Sequence, residues 1–238
     1  MLRIFALLIR GIFCIPYWVM TMANWNKKGK GTEKERYDYL LPCVRWVVKR
    51  ARVNMIVSGV EKLPQEGGYM IAPNHQGMFD AFMLLSTHER PLTAVFKIEL
   101  TTTPIVKDIA EFLKAYAMDR SNLRESIKVI RQVGEDIKKG RIVVIFPEGT
   151  RSRTGELGKA APGALMMASK ALAPIVPACV VGTDVFRVGK IWPKVSVRFG
   201  KPIYFPKDEP ITKEVLKNMT DEMMARIAEL QAGVKNGN

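Results

Sequence analysis

The sequence predicts an α/β fold in which helices flank a mostly parallel central sheet. From residue 54 onward, short apolar runs typical of strands alternate with amphipathic segments typical of helices, and this alternation is characteristic of parallel strands joined by helices. The apolar, β-branched run at Arg141–Phe146 is of the kind found in strands that are buried on both faces. A length of 238 residues suits one large domain with an attached segment.

Seven strands and five helices are predicted in this part of the chain. The strands are Met55–Gly59, Tyr69–Pro73, Leu92–Lys97, Ala115–Asp119, Arg141–Phe146, Ile175–Val181 and Lys194–Phe199. The helices are Met78–His88, Thr103–Leu113, Asn122–Lys139, Pro162–Leu172 and Thr212–Gln231. Pro104 suits a first helical turn and Asn122 suits a helix cap. The third helix has an apolar face formed by Leu123, Ile127, Ile130 and Ile137.

The first 53 residues differ in character from the rest of the chain. They hold eleven Lys and Arg residues against three acidic residues, a net charge of +8 out of +14 for the whole chain. The same segment opens with the most apolar stretch of the protein, and basic charge beside apolar residues is typical of a membrane-binding segment. We therefore divide the chain into N-terminal membrane-associated helices at 1–53 and an α/β domain at 54–238.

The first apolar stretch suits a helix that lies in the membrane interface better than one that crosses the bilayer. Its longest charge-free run, Gly11–Asn26, has 16 residues, whereas a spanning helix needs about 20. Arg3, Arg10 and Tyr17 are spaced seven apart, which places them on one polar stripe along the helix. A spanning helix whose arginines extend to the headgroups is the alternative.

A second amphipathic helix is predicted at Glu33–Val53. Arg45, Lys49 and Arg52 share one face of it, and this face is either a solvated surface or a basic surface that contacts anionic headgroups. Pro42 is expected to kink the helix. The apolar face follows helical spacing and contains Tyr37, Leu40, Leu41, Val44, Val47, Val48 and Ala51.

The composition and the charge of the chain exclude some classes of function and favour others. Apolar residues make up 47% and charged residues 25% of the chain, which is ordinary for a protein with a buried core. Three widely spaced cysteines and two histidines predict no metal site. The net charge of +14 indicates a polyanionic partner. We expect an anionic membrane surface and no nucleic acid, because the aromatic residues are not interleaved with basic ones.

A histidine and an aspartate follow the predicted strand Tyr69–Pro73. His75 lies in the turn after the strand, and Asp80 lies five positions later in the first turn of the next helix. This spacing allows the carboxylate to bind one imidazole nitrogen and to leave the other free. An imidazole held in this way is a general base with a fixed tautomer. Local hydrogen bonding by the histidine and helix capping by the aspartate are the structural alternatives.

A second polar segment, Phe-Pro-Glu-Gly-Thr-Arg-Ser, follows the strand Arg141–Phe146. Gly149 allows close backbone approach to a ligand, and Arg151 carries a planar group suited to phosphate. Lys97 and Arg120 follow two other predicted strands. Ligands of open α/β sheets gather at the carboxyl ends of strands, so we expect these cations at one binding edge, although each alone is an ordinary surface charge.

These segments together resemble the glycerolipid acyltransferase family, in the branch of the bacterial 1-acylglycerol-3-phosphate (lysophosphatidic acid) acyltransferases. The resemblance covers about Asn54 to Phe205. The matching segments occur in the family's order, with Glu148 73 positions after His75. The segment FPEGTRS is the specific signal of the family, and the other matching segments corroborate it. Inside the first block this chain has Gln76 and Gly77, where a serine or another polar residue is frequent in the family. The blocks are NHQGMFD, FKIEL with AMDR, FPEGTRS and IVPACV.

The resemblance implies an enzyme that transfers a fatty acyl group from an acyl thioester to the free sn-2 hydroxyl of lysophosphatidic acid, giving phosphatidic acid. The acyl donor is acyl-CoA or acyl-carrier protein, and no cofactor is required. The resemblance also implies a peripheral or monotopic position on the cytoplasmic face of the cell membrane. It makes His75 and Asp80 catalytic. It implies substrate binding by Asn74, Lys97, Arg120, Glu148, Gly149, Thr150 and Arg151.

Three alternatives stay open on the sequence. A related acyltransferase acts on another lysophospholipid or on glycerol 3-phosphate. A thioesterase-like hydrolase uses water in place of the acceptor, although the phosphate-suited loop argues against it. A non-catalytic basic membrane protein needs neither His75 nor Asp80. We find no GxSxG, GxxxxGK[ST] or GxGxxG pattern, so serine hydrolase, nucleotide-driven and hydride chemistry lack support.

Overall fold

The molecule is built around a seven-stranded sheet. The structure, a computed structural model, describes residues 14–152, 154–161, 163–184 and 194–235. The strand order is β1-β7-β6-β2-β5-β3-β4. Within the described residues only β6 and β7 pair antiparallel, which confirms the predicted mostly parallel sheet. The strands are β1 Asn54–Ser58, β2 Tyr69–Pro73, β3 Leu92–Lys97, β4 Tyr116–Met118, β5 Ile142–Val144, β6 Ile175–Val181 and β7 Lys194–Phe199.

Helices pack on both faces of this sheet, as predicted. The described helices are α1 Cys14–Lys27, α2 Glu33–Arg50, α3 Asp80–Thr87, α4 Pro104–Phe112, α5 Leu123–Lys138, α6 Met166–Ala171 and α7 Lys213–Lys235. Residues 1–13 of the predicted first helix lie outside the described residues. None of the described helices is long and apolar enough to cross a bilayer.

Two hydrophobic cores lie on opposite sides of the sheet, because successive side chains of a strand point to opposite faces. Tyr69 and Ile71 of β2 belong to one core, which α1, α2, α3 and α4 cover. Met70 and Ala72 belong to the other core, which α5, α6 and α7 cover. All four side chains are 0% exposed. This burial on both faces explains why β2 and β5 appear in the sequence as continuous apolar runs.

The N-terminal helices α1 and α2 pack on the α/β domain. Helix α2 begins with a capping box between Thr32 and Glu35, and Pro42 lies inside it. Its apolar face joins the core of the sheet, and the buried Tyr37 hydroxyl donates a hydrogen bond to the His88 carbonyl at 2.9 Å. The side-chain amide of Asn26 in α1 donates to the carbonyl of Asp108 in α4 at 3.0 Å. The two helices therefore share a core with the sheet.

Several predicted helices differ in detail from the structure; the helix predicted at Pro162–Leu172, for example, spans only Met166–Ala171. The helix predicted from Met78 begins at Asp80, because the residues before it form a loop that is held by hydrogen bonds to the Asp80 carboxylate. On α5, Ile137 is 1% exposed, but Leu123 and Ile127 are 74% and 48% exposed. Helix α6 has only six residues. It meets α5 at Gly134, in the later part of that helix.

His88 is a buried structural residue. Its ring lies between the Tyr69 hydroxyl, 2.7 Å from Nε2, and the Arg90 carbonyl, 2.7 Å from Nδ1. Burial lowers the pKa of His88 below its ordinary value of 6.5. The folded protein therefore resists protonation of a group that the unfolded chain protonates as the pH falls below about 6.5.

We expect the free energy of unfolding to fall as the pH is lowered from 7 toward 5, and His88 to contribute to this fall. Below the unfolded-state pKa the unfolded chain binds one more proton at His88, which favours unfolding. Denaturant unfolding at several pH values should show a shallower decline for His88→Gln, which has no titratable group there. An equal decline in both proteins would show that His88 does not contribute. Turnover per folded molecule should be unchanged by His88→Gln.

Candidate active site

The site lies at the carboxyl edge of the five mutually parallel strands. His75 follows β2, Glu148 follows β5, Lys97 ends β3, and Arg120 follows β4. Because β5 and β3 stand side by side between β2 and β4, the segments that follow these strands line one edge. The structure therefore places the predicted histidine, the glutamate loop and two predicted cations along the same edge.

The centre of the site is a hydrogen-bonded histidine and aspartate. His75 Nδ1 lies 2.7 Å from Asp80 Oδ2, and the side chains are 20% and 0% exposed. A carboxylate at Nδ1 holds the proton on that nitrogen and leaves Nε2 as the acceptor. Among the described residues, Nε2 has no hydrogen-bond partner. The geometry therefore suits a general base that is open on one side.

Backbone donors and a helix start hold the Asp80 carboxylate. Asp80 is the first residue of α3, where the positive end of the helix dipole favours a negative charge. Its Oδ2 accepts hydrogen bonds from the backbone N–H groups of Gln76 at 2.7 Å and Gly77 at 2.9 Å. Its Oδ1 accepts a hydrogen bond from the Thr183 hydroxyl. Together with His75 Nδ1, these groups give the buried carboxylate four hydrogen-bond donors, so its polar atoms are satisfied.

The His75 ring is held by Phe146 as well as by Asp80. The two rings stack with centroids 4.0 Å apart and planes at 29°. The backbone N–H of Ser152 donates to the His75 carbonyl at 2.8 Å. Phe146 and Ser152 flank the Pro-Glu-Gly-Thr-Arg segment, so the loop after β5 fixes both the ring and the backbone of the histidine.

Asn74, next to His75, binds the backbone of β6. It is 1% exposed, and its side-chain amide binds Val180 twice. Asn74 Oδ1 accepts from the Val180 N–H at 2.7 Å, and Nδ2 donates to the Val180 carbonyl at 3.0 Å. These bonds join the end of β2 to β6. Although the resemblance implies substrate binding by this residue, both functional groups of its side chain are engaged with the protein backbone.

The Glu148 carboxylate binds two separate backbone segments. Its Oε1 accepts from the His75 N–H and its Oε2 accepts from the Gly158 N–H, both at 2.8 Å. The residue is 8% exposed. Both carboxylate oxygens therefore bind backbone donors in this structure, which gives Glu148 a role in shaping the loop around the histidine.

Gly149 and Arg120 are in direct contact. Gly149 has φ +68, a left-handed conformation that favours glycine, and a Cβ there would collide with the Arg120 guanidinium. Arg120 Nη1 donates a hydrogen bond to the Gly149 carbonyl. The loop after β5 and the cation after β4 thus meet, as the predicted binding edge requires.

The remaining predicted binding residues are exposed to solvent. Thr150 and Arg151 lie on the surface of the loop after β5. Lys97 Nζ lies 2.8 Å from Glu99 Oε1 in an exposed ion pair. The hydrogen bond from Lys97 is the main cause of the lowered pKa of Glu99. Exposed pairs of this kind are weak, so an anionic ligand can compete for the lysine.

A second network reaches the site from the C-terminal helix. Gln231 in α7 is 5% exposed, and its Nε2 donates to the Gly155 carbonyl at 2.6 Å. Gln76 Nε2 donates to the same carbonyl at 3.1 Å, and Gln76 Oε1 accepts from the Gly182 N–H at 3.3 Å. Gln231 is not among the site residues predicted from the sequence. Its one sequence signal is its position four residues after buried Ile227, where an apolar residue is expected.

Within the described residues, no group of three or more His, Cys, Asp or Glu side chains could hold a metal ion. Cys43 and Cys179 are buried thiols without a disulfide, and burial raises the pKa of Cys43 to about 11. Buried thiols of this kind are unreactive.

Comparison with known proteins identifies the family. A model of the acyltransferase family matches residues 54–181. The chain belongs to the acyltransferase family. The matched residues contain His75, Asp80 and every other residue predicted for the site, which confirms the resemblance seen in the sequence. Thr183 and Gln231 lie beyond them.

Two relatives of this acyltransferase-family chain bear the same name, 1-acyl-sn-glycerol-3-phosphate acyltransferase. The protein of Pseudomonas aeruginosa is 34% identical over 147 residues, which are 61% of this chain and 54% of that protein. The protein of Saccharomyces cerevisiae is 32% identical over 189 residues, which are 73% of this chain and 60% of that protein. The alignments therefore span about half or slightly more of the length of these relatives.

A solved structure shares the fold of this acyltransferase-family chain. It is the 1-acyl-sn-glycerophosphate acyltransferase of Thermotoga maritima, with a TM-score of 0.68 and 23% sequence identity. The match covers 95% of this chain and 97% of that one, so the shared fold extends beyond residues 54–181.

Proposed function

We propose that this protein transfers a fatty acyl group from an acyl thioester to the free sn-2 hydroxyl of lysophosphatidic acid, giving phosphatidic acid. The observation that carries the proposal is the His75–Asp80 pair with Nε2 open beside a basic strand edge. The names of the two relatives support the choice of acceptor. The phosphate of that acceptor suits the cations at the site, which a thioesterase does not need.

In the proposed reaction His75 acts as a general base and then as a general acid. Nε2 takes the proton of the acceptor hydroxyl while the oxygen attacks the thioester carbonyl. The Asp80 carboxylate stabilises the imidazolium that forms. The tetrahedral intermediate collapses, the carbon–sulfur bond breaks, and the thiolate receives the proton from Nε2. The ester and the free thiol leave the site, and His75 returns to its neutral form.

We propose that the acceptor phosphate binds to Lys97, Arg120, Gly149, Thr150 and Arg151. Arg120 meets the loop at Gly149, and exposed Arg151 offers a planar donor pair suited to a phosphate. Asn74 and Glu148 act in this proposal by holding β2, β6 and the loop in place, since their polar atoms bind backbone groups.

The donor in this proposal is acyl-CoA or acyl-carrier protein. Both are thioesters, and the proton transfers need no group beyond His75 and Asp80. The proposed mechanism therefore uses no cofactor.

An acceptor panel tests the proposed function. We expect product with lysophosphatidic acid and far less with monoacylglycerol, which has the same hydroxyl but no phosphate. Glycerol 3-phosphate and lysophosphatidylcholine separate the related activities, and each acceptor should be supplied with acyl-CoA and with acyl-carrier-protein donors. A preference for monoacylglycerol would contradict the proposed phosphate site.

We further propose that helices α1 and α2 hold the protein on the cytoplasmic face of the cell membrane, as a peripheral or monotopic protein on anionic lipids. Tyr17 and Met20 of α1 are 66% and 71% exposed, although both are suited to an apolar environment. Exposed Lys49 and Arg50 lie near the end of α2. Arg45, in contrast, pairs with Glu89 at 2.5 Å, so only part of the predicted basic face is available to headgroups.

We expect Tyr17→Ser to weaken vesicle binding by about tenfold to a hundredfold, since burying one large apolar side chain stabilises binding by about 1.5–3 kcal/mol. Tyr204→Ser is the matched control, because Tyr204 is also 66% exposed but lies in a segment whose neighbours Ile203 and Phe205 pack on the opposite face of the sheet. Co-sedimentation with phosphatidylcholine vesicles, with and without phosphatidylglycerol, measures the binding. Equal losses for both variants would contradict a membrane contact through α1.

A further inference from the structure

Thr183 is a buried residue that touches the candidate dyad from outside the predicted motifs. It lies two residues after β6 and is 2% exposed. Its hydroxyl donates a hydrogen bond to Asp80 Oδ1. The three other hydrogen bonds that reach this carboxylate from described residues all end on Oδ2. Thr183 is therefore the one described donor that binds the second oxygen.

The pairing of β2 with β6 brings Thr183 to this position. The two strands are parallel and in register up to Pro73, which lies opposite Ala178. Beyond that point, side chains of the segment after β2 continue the contact with the end of β6 and the residues after it. The bonded pairs are Asn74 with Val180, Gln76 with Gly182, and Asp80 with Thr183.

Glycines allow close packing on both sides of Thr183. Gly182 has φ +93, and a Cβ there would collide with the Lys194 carbonyl. A Cβ at Gly77 would lie 3.1 Å from Thr183 Oγ1 and 3.2 Å from the Thr183 carbonyl, which is tighter than ordinary contact. Gly77 is one of the two positions at which this chain departs from the usual pattern of the first motif. The departure fits the presence of a threonine packed against it.

We propose that Thr183 is a positioning residue for the His75–Asp80 pair. A carboxylate bound through one oxygen can rotate about its Cβ–Cγ bond, whereas bonds to both oxygens fix its plane. With Oδ1 bound by Thr183, Oδ2 stays directed at His75 Nδ1, and the imidazole keeps the orientation and tautomer of a base. This inference rests on the proposed function, because it assigns Thr183 a role in the same reaction.

Thr183→Val tests the inference, since valine has the shape of threonine without the hydroxyl. We expect kcat to fall about tenfold to a hundredfold, the change expected for losing one hydrogen bond to a charged group. The KM for lysophosphatidic acid should stay near that of the wild type, because the Thr183 hydroxyl binds Asp80 and is not among the proposed phosphate contacts. Thr183→Ser should restore most of the activity, since it restores the donor.

Thr93→Val is the matched control. Thr93 is also 2% exposed, but its hydroxyl has no hydrogen-bond partner among the described residues. Replacing the Thr93 hydroxyl with a methyl group should leave kcat unaltered. The ¹H NMR signal of the His75 Nδ1 proton gives a second readout, which should move in Thr183→Val and stay in place in Thr93→Val. A merely structural role for Thr183 would alter stability without moving this signal.

His75→Ala separates the failure of this inference from that of the proposed function. If His75→Ala is inactive and Thr183→Val keeps the kcat of the wild type, the inference is wrong and the proposed function stands. If His75→Ala stays active, the proposed function fails and the inference fails with it. If Thr183→Val does not fold, Thr183→Cys replaces it, because cysteine is small and a weaker donor. A kcat for Thr183→Cys equal to that of the wild type would then overturn the inference.

Discussion

His75→Ala is expected to lower turnover by about two to four orders of magnitude, the usual contribution of a general base. Nδ1 of His75 binds Asp80, and no described residue binds Nε2; alanine removes the group that takes the hydroxyl proton. The KM for the acceptor should change little, because the proposed phosphate contacts come from other residues. Steady-state kinetics with lysophosphatidic acid and an acyl thioester measures both constants.

The second histidine supplies the control for this prediction. His88→Gln alters a buried ring that binds Tyr69 and Arg90, and it should lower stability while turnover per folded molecule is retained. An essential His88 together with a dispensable His75 would contradict the proposed mechanism.

Asp80→Asn should also lower turnover by about two to four orders of magnitude, and it isolates the charge of Asp80. Two backbone N–H groups and His75 Nδ1 meet at Oδ2, so the amide oxygen of asparagine is expected to take that position. The amide nitrogen would then face Thr183, whose hydroxyl can accept a hydrogen bond. The orientation of the imidazole is kept in this arrangement, but the imidazolium loses the anion that stabilises it.

The size of this effect is checked by comparing kcat for wild type, Asp80→Asn and Asp80→Ala at the same pH. Asp80→Ala removes both the charge and the orientation, so it should be at least as slow as Asp80→Asn. If Asp80→Asn kept more than about a tenth of the wild-type kcat, the aspartate charge would not contribute to catalysis as proposed.

The fold could be predicted from the sequence where one local pattern determines the structure. The bounds of β2, β3, β6 and β7 match the prediction, because apolar or alternating runs mark these strands in the sequence. The start of α3 was wrong by two residues. There, tertiary hydrogen bonds from Gln76 and Gly77 to Asp80 hold a loop where helical spacing alone predicts a turn of helix.

The candidate site could be predicted only in part. The His75–Asp80 contact spans five positions and follows from local spacing, and the structure bears it out. The resemblance implies substrate binding by Asn74 and Glu148, and that stays a prediction. The hydrogen bonds of Asn74 to Val180 and of Glu148 to the His75 N–H depend on the tertiary fold and show no local sequence pattern.

Thr183 lies 103 positions from Asp80 and shows no local pattern. Its contact depends on the pairing of β2 with β6. Local spacing in the sequence predicts contacts between residues of one turn. Contacts between neighbouring strands can be predicted only when the strand order is known.

The most direct test of the proposed function compares two products of one reaction. Wild-type protein is incubated with lysophosphatidic acid and an acyl thioester, and the free thiol and the phosphatidic acid are both quantified. We expect one molecule of phosphatidic acid for each thiol released, and almost no thiol release without lysophosphatidic acid. Release of thiol without phosphatidic acid, at a rate independent of the acceptor, would show a hydrolase and would contradict the account.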